Sequence, residues 1–167
     1  MSGSRPTPSA TTETCTLCDR VLAPTPPPGG WIHRDHRWAV SGHPGLAVPG
    51  WLALQTVRHI ATFAELDEPE ALTLGPLLRE VSRWLHRATG TDRTYTYALG
   101  ESVRHVHLLV GAPPAGADPD SRGGPLLNRI FGRDPTLIDA DGSVVLLAKI
   151  AALAAGEPKP YPAPRCE

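Results

Sequence analysis

The sequence predicts a small α+β domain, an antiparallel sheet backed by one long helix. Three observations carry that prediction. With 167 residues, 41% hydrophobic and 20% charged, the chain is long enough for one core and too short for two comfortable domains. Short apolar runs separated by turn residues read as strands. A single longer stretch, Leu66 to Thr89, keeps the spacing of a helix.

The elements follow in chain order. Residues 1–14 are rich in Ser, Thr and Pro and are expected to be disordered. A C-x-x-C pair, Cys15 and Cys18, comes next, then the loop Pro24–Gly30. Trp31 to Val40 and Trp51 to Val57 are candidate strands, with the turn Ser41-Gly42-His43-Pro44-Gly45 between them. In the long helix Asp67 caps and Glu70 completes a capping box. Leu74, Leu77, Leu78, Val81, Trp84, Leu85 and Ala88 form its apolar stripe. Pro76 inside it predicts a kink or a later start. Thr94 to Val110 reads as two strands joined near Leu99-Gly100-Glu101. Residues 111–124 form a long Gly/Pro/Asp loop. Residues 125–132 and 143–155 are candidate helices, and the tail after Gly156 is not expected to pack. The domain is placed at 13–156, between a disordered tail at 1–12 and a Pro-rich tail at 157–167.

Composition excludes several functions. The net charge of −1 lacks the basic footprint of a nucleic-acid binder. No apolar run approaches the roughly 20 residues that span a bilayer. Met1 to Thr14 has no apolar segment of the signal-peptide kind, so a soluble, cytoplasmic protein is expected. Three cysteines are too few for a disulfide framework, and Cys166 lies in the Pro-rich tail. Prolines 24, 26, 27 and 28 follow the C-x-x-C closely, which disfavours a redox motif at a helix start and favours half of a metal site.

Chemistry concentrates in Gly100-Glu101-Ser102-Val103-Arg104-His105-Val106-His107-Leu108-Leu109-Val110. Strand alternation puts Val103, His105, His107 and Leu109 on one face. The two histidines then stand about 6–7 Å apart. One can bind a metal while the other acts on a ligand. Zinc takes four Cys or His ligands in a closed tetrahedron. Cys15 and Cys18 supply two and His105 a third. His33, His36, His43, His59 and His86 are candidates for the fourth, and His59, directly after a strand, is chosen over His43.

Three stretches together resemble the histidine-triad (HIT) superfamily of nucleotide hydrolases and transferases. They are Cys15-Thr-Leu-Cys18, Pro49-Gly-Trp-Leu-Ala-Leu-Gln-Thr-Val-Arg-His59, and the segment Gly100–Val110. The resemblance covers roughly residues 13–155 and implies a HIT-like fold with a sheet of about five strands. It assigns zinc to Cys15, Cys18, His59 and His105. It makes His107 the nucleophile that attacks the α-phosphorus of a nucleotide and forms a nucleotidyl-histidine. Ser102 matches a serine that touches phosphate or leaving group, and Gln55 is a further substrate-binding candidate. A homodimer through the long helix and a sheet edge is also implied, with Trp84 and Leu85 available to the interface or to the core.

Two departures from the family pattern bear on substrate. Leu109 replaces the third motif histidine, where the uridylyltransferase branch keeps a polar glutamine. His43 stands where an acidic residue commonly grips the ribose hydroxyls. Losing one polar contact to the transition state costs about 2–4 kcal/mol by analogy with oxyanion-hole mutants. Arg122, Arg129 or Arg133 could replace it in a rewired site. The leading expectation is a hydrolase or nucleotidyltransferase acting through His107 on a small phosphorylated molecule. The alternatives are a biosynthetic enzyme with a redirected pocket and a non-catalytic nucleotide- or partner-binding domain. Four protein ligands leave zinc no open position, so its role is expected to be structural.

Overall fold

Five strands, β1 (Trp31–Arg34), β2 (Trp38–Gly42), β3 (Trp51–Thr56), β4 (Tyr95–Tyr97) and β5 (His107–Gly111), build one antiparallel sheet in the order β1-β2-β3-β5-β4. The structure is a computed structural model that describes residues 15–157 except 115, 119 and 121. Four α-helices complete it: α1 (Thr16–Leu22), α2 (Glu68–Thr89), α3 (Gly124–Phe131) and α4 (Ala140–Ala155). The expected tail at 1–12, nearly all of that at 157–167, and Cys166 lie outside the described residues. No helix among the described residues is long and apolar enough to cross a membrane.

Side-chain alternation divides the sheet into two working faces. On one, Trp38, Val40, Leu52, Leu54, Leu108 and Val110 pack against Leu77, Val81, Trp84 and Leu85 of α2 and against Leu147 and Ile150 of α4. On the other, Trp51 and Leu109 pack with Leu126 and Ile130 of α3. Trp84 and Leu85 are thus core residues, 2% and 0% exposed, and offer nothing to an interface.

The long helix forms as its ends demand. Asp67 accepts from the Glu70 N–H at 2.7 Å, and the Glu70 carboxylate accepts from the Asp67 N–H at 2.9 Å. Gly90, left-handed at φ 74°, closes it. The helix runs unbroken through Pro76. The carbonyl that Pro76 cannot pair belongs to Leu72, which is exposed, so water can serve it.

Four expectations need correction. Trp31 to Val40 is not one strand but the hairpin β1–β2. Asp35 makes the turn by accepting from the N–H groups of Arg37 and Trp38, at 2.7 and 2.8 Å. Ser41 and Gly42 belong to β2, so the turn begins at His43. A short helix, α1, starts directly after Cys15, carries Cys18 in its first turn and ends before the prolines act. Glu157 does pack, because the Trp84 indole donates to it at 3.2 Å and Arg87 pairs with it.

Gly111 shows how tightly the second face is filled. A Cβ there would run into the indole of Trp51, its cross-strand neighbour. Gly111→Ala is expected to cost about 1–3 kcal/mol by overpacking. Urea unfolding measures this, and an unchanged midpoint would contradict it.

Candidate metal centre and active site

The first cluster gathers at one end of the sheet. Cys15 precedes α1, Cys18 lies in its first turn, His59 follows β3 and His105 precedes β5. One ligand atom from each lies within 4.8 Å of all the others. His105 Nδ1 is 3.4 Å from both cysteine sulfurs, and His59 Nδ1 is 3.3 Å from that of Cys18. In a tetrahedral zinc site the sulfur-to-nitrogen edge is about 3.5 Å, from metal bonds near 2.3 and 2.0 Å. The donor set and its spacing therefore fit zinc. The other ring nitrogen of His105 donates to the Thr56 carbonyl at 2.8 Å, which leaves Nδ1 as the ligand atom. Burial lowers the His105 pKa and keeps the ring neutral. Without a metal, burial and the adjacent Cys15 push the Cys18 thiol up to about 11. A divalent cation reverses that preference by favouring thiolate.

Neighbouring structure locks these residues. The Arg58 guanidinium, one residue before His59, pairs at 2.7 Å with the buried Glu70 at the start of α2. Ile60 accepts from the Val106 N–H at 2.8 Å, and so ties the two histidine-bearing segments together.

His107 opens β5 and faces a cavity of about 470 Å³, within the range of small-molecule sites. Its Nδ1–H donates to the His105 carbonyl at 2.7 Å. Nε2 is then the nitrogen left to act. His105 itself lies just before the strand, so the two histidines are not a simple alternating pair. His105 joins the metal cluster and His107 lines the cavity.

The remaining candidates separate. Ser102, His43 and Leu109 line the same cavity as His107. Gln55 does not. It stands opposite His107 in the β3–β5 register, is buried, and donates to the Leu17 carbonyl at 3.1 Å. Leu109 is 4% exposed and belongs to the cluster with Trp51, Leu126 and Ile130. Arg122, Arg129 and Arg133 line no part of the cavity. Arg122 donates to the Ala117 carbonyl, and Arg129 pairs with Asp134 at 2.7 Å. The lining carries no cation among the described residues and is mostly apolar.

Sequence reasoning passed over several contributors. Thr56, which orients His105, carries no motif, and only the β3 register reveals it. Tyr97 lines the cavity beside Leu109, its cross-strand partner, and stacks on Trp51 at 6.2 Å. Leu17 of α1 and Phe131 of α3 close other walls. Trp38 and Trp51 are core residues.

Burial above all, then the charges of His107 and Arg20, lower the His43 pKa from 6.5 to about 4. The unfolded chain therefore takes up this proton first as pH falls. His43 costs no stability above its unfolded pKa of 6.5 and destabilises the fold progressively between 6.5 and about 4. His43→Gln is expected to flatten the decline of stability in that window, read from denaturant midpoints against pH. A nuclear magnetic resonance titration that placed the His43 midpoint at its ordinary value would contradict this.

No protein-family model matches the sequence, and no curated protein matches it. Solved structures do. A hypothetical histidine triad nucleotide-binding protein from Sulfolobus tokodaii aligns at 18% identity over 84% of this chain and 91% of its own, with a TM-score of 0.62. A zinc-bound histidine triad family protein from Mycobacterium smegmatis aligns at 17% identity over 86% and 98%, TM-score 0.59. A histidine triad protein from Sinorhizobium meliloti aligns at 24% identity over 73% and 87%, TM-score 0.57. With its five-stranded antiparallel sheet and its Cys/His cluster at the sheet's end, the chain has the fold of the histidine-triad superfamily.

Proposed function

We propose that the protein is a HIT-type hydrolase or nucleotidyltransferase acting at the α-phosphate of a small phosphorylated substrate, with His107 as nucleophile. The observation that carries this reading is the 2.7 Å bond from His107 Nδ1 to the His105 carbonyl, at the wall of the cavity. Nε2 attacks phosphorus, the bond to the leaving group breaks, and the leaving group departs with the electron pair and takes up a proton from solvent. The Nδ1–H stays on the His105 carbonyl, which stabilises the ring as it becomes cationic. An acceptor hydroxyl, from water or a second substrate, then attacks phosphorus and releases its proton to solvent, while the P–N bond breaks with its electron pair returning to Nε2 and neutral His107 is restored. Ser102 is assigned to the phosphate or the leaving group.

Cys15, Cys18, His59 and His105 would hold zinc as a structural ion, and the chemistry it supplies is the tying together of the two histidine-bearing segments. The same reading takes the protein as cytoplasmic and as a homodimer, without nucleic-acid or membrane partners. The test is intact-protein mass spectrometry after brief incubation with nucleoside phosphoramidates, dinucleoside polyphosphates and nucleotide sugars. A nucleotidyl increment on wild type and none on His107→Ala is expected. An equal increment on both would overturn the assignment.

One observation favours a second reading. The cavity lining has no cation among the described residues, and Leu109 is committed to an apolar cluster. These features support a redirected biosynthetic enzyme or a non-catalytic binding domain. Binding of the same panel without an increment on wild type would select the latter.

A further inference from the structure

We infer that a second cavity, beside the first, is an oxyanion site in which Arg20 takes a carboxylate or phosphate. This cavity measures about 520 Å³ and lies between the end of β2, the loop that follows it and α4. His43 and Pro44 line both cavities, so the two meet at that wall.

Among the described residues Arg20 is the cation that lines the second cavity, and its surroundings leave it short of partners. Its Nη2 donates to Ser41 Oγ at 2.8 Å and to the Gly42 carbonyl at 2.5 Å, which fixes the plane of the guanidinium. The guanidinium carbon lies 5.9 Å from the centre of the Trp31 ring. No carboxylate among the described residues forms an ion pair with it. Its Nη1 is buried without a hydrogen-bond partner. The same holds for Trp51 Nε1 and His43 Nδ1, and both residues line this cavity. Three of the four buried side-chain polar atoms without a partner among the described residues thus belong to residues that line this cavity.

Guanidinium and indole N–H groups are donors only, and a fold that buries them unpaired is missing an acceptor. An oxyanion is acceptor-rich and charge-matched, and arginine meets it with parallel donors. Val48, Val144 and Leu147 make much of the remaining wall apolar. The group that carries the anion is accordingly a weakly polar one. Since no cation among the described residues lines the first cavity, a substrate that crosses the His43 wall finds its charge partner at Arg20. That the anion belongs to the substrate of His107 rests on the function proposed above, whereas the anion site itself does not.

The test is a magnetic-resonance titration of the full-length, zinc-loaded protein with inorganic phosphate and, separately, with malonate. The readouts are the Arg20 Nε–H and Trp51 Nε1–H resonances. A shift that saturates by about 10 mM is expected, the affinity of a single small anion. It should persist in His107→Ala and vanish in Arg20→Gln. A response to phosphate alone identifies a phosphoryl group, and a response to malonate alone a carboxylate. The proposal is overturned if neither resonance moves by about 50 mM of either anion. It is equally overturned if the shift survives Arg20→Gln, or if His107→Ala abolishes it and so places the anion in the first cavity. Because Arg20 also braces Ser41 and Gly42, Arg20→Lys is measured alongside. It keeps the charge without the fork, and about a tenfold loss of affinity is expected. Affinity equal to wild type in Arg20→Lys would overturn the role of the fork.

Discussion

His107→Ala is expected to lower kcat/KM by about 10⁴-fold or more while the protein still folds. Removal of a covalent nucleophile costs that much in enzymes whose remaining groups still bind substrate. The site explains why the fold should survive. His107 is half-buried at the rim of the sheet, and the hydrogen bond it forfeits ends on a backbone carbonyl. Circular dichroism and melting check the fold, and single-turnover kinetics on the best substrate of the panel check the rate. Turnover within tenfold of wild type would mean that another group attacks phosphorus.

Loss of the metal centre is expected to act the other way, on stability rather than on chemistry. Cys15→Ser should lose zinc and destabilise the fold by about 3–5 kcal/mol, the scale of losing a metal. For a domain of this size that corresponds to a melting temperature lower by roughly 10 °C. The four ligands come from three separate segments, so their tie closes the β3-to-β5 end of the sheet onto α1. Acid should release the metal as well, because bound ligands must be deprotonated. Zinc content by elemental analysis and melting curves measure both effects. A Cys15→Ser protein with wild-type zinc and melting would remove Cys15 from the ligand set.

Much of the fold was legible because local chemistry and tertiary demand agree. Asp67 and Glu70 announce the start of α2, and Gly90 its end. Alternation in Leu108, Leu109 and Val110 is the alternation of β5 between two apolar faces. The β1–β2 hairpin was not legible, because Trp31 to Val40 reads as one apolar-alternating run and a single Asp35 side chain reverses it. Helix α1 was hidden by its brevity beside the prolines. In the site, the cysteine pair and the His105–His107 pair stand out by residue type, whereas His59 is one of five candidate histidines until the fold brings it to the cysteines. Gln55 shows the limit of that reasoning. It lies in the right register beside His107, yet its amide is spent on the Leu17 carbonyl.

By itself, then, the sequence determined the α+β class, the long capped helix, the C-x-x-C pair and the neighbouring histidines. Each of these depends on residue type and short-range spacing. Tertiary structure decided which histidine joins the cysteines, that Thr56 orients His105, that Leu109 belongs to an apolar cluster, and that no arginine among the described residues lines the first cavity. Those outcomes depend on contacts between segments dozens of residues apart. Only the register of β3 with β5 and the packing of α1 and α3 on one face of the sheet create them.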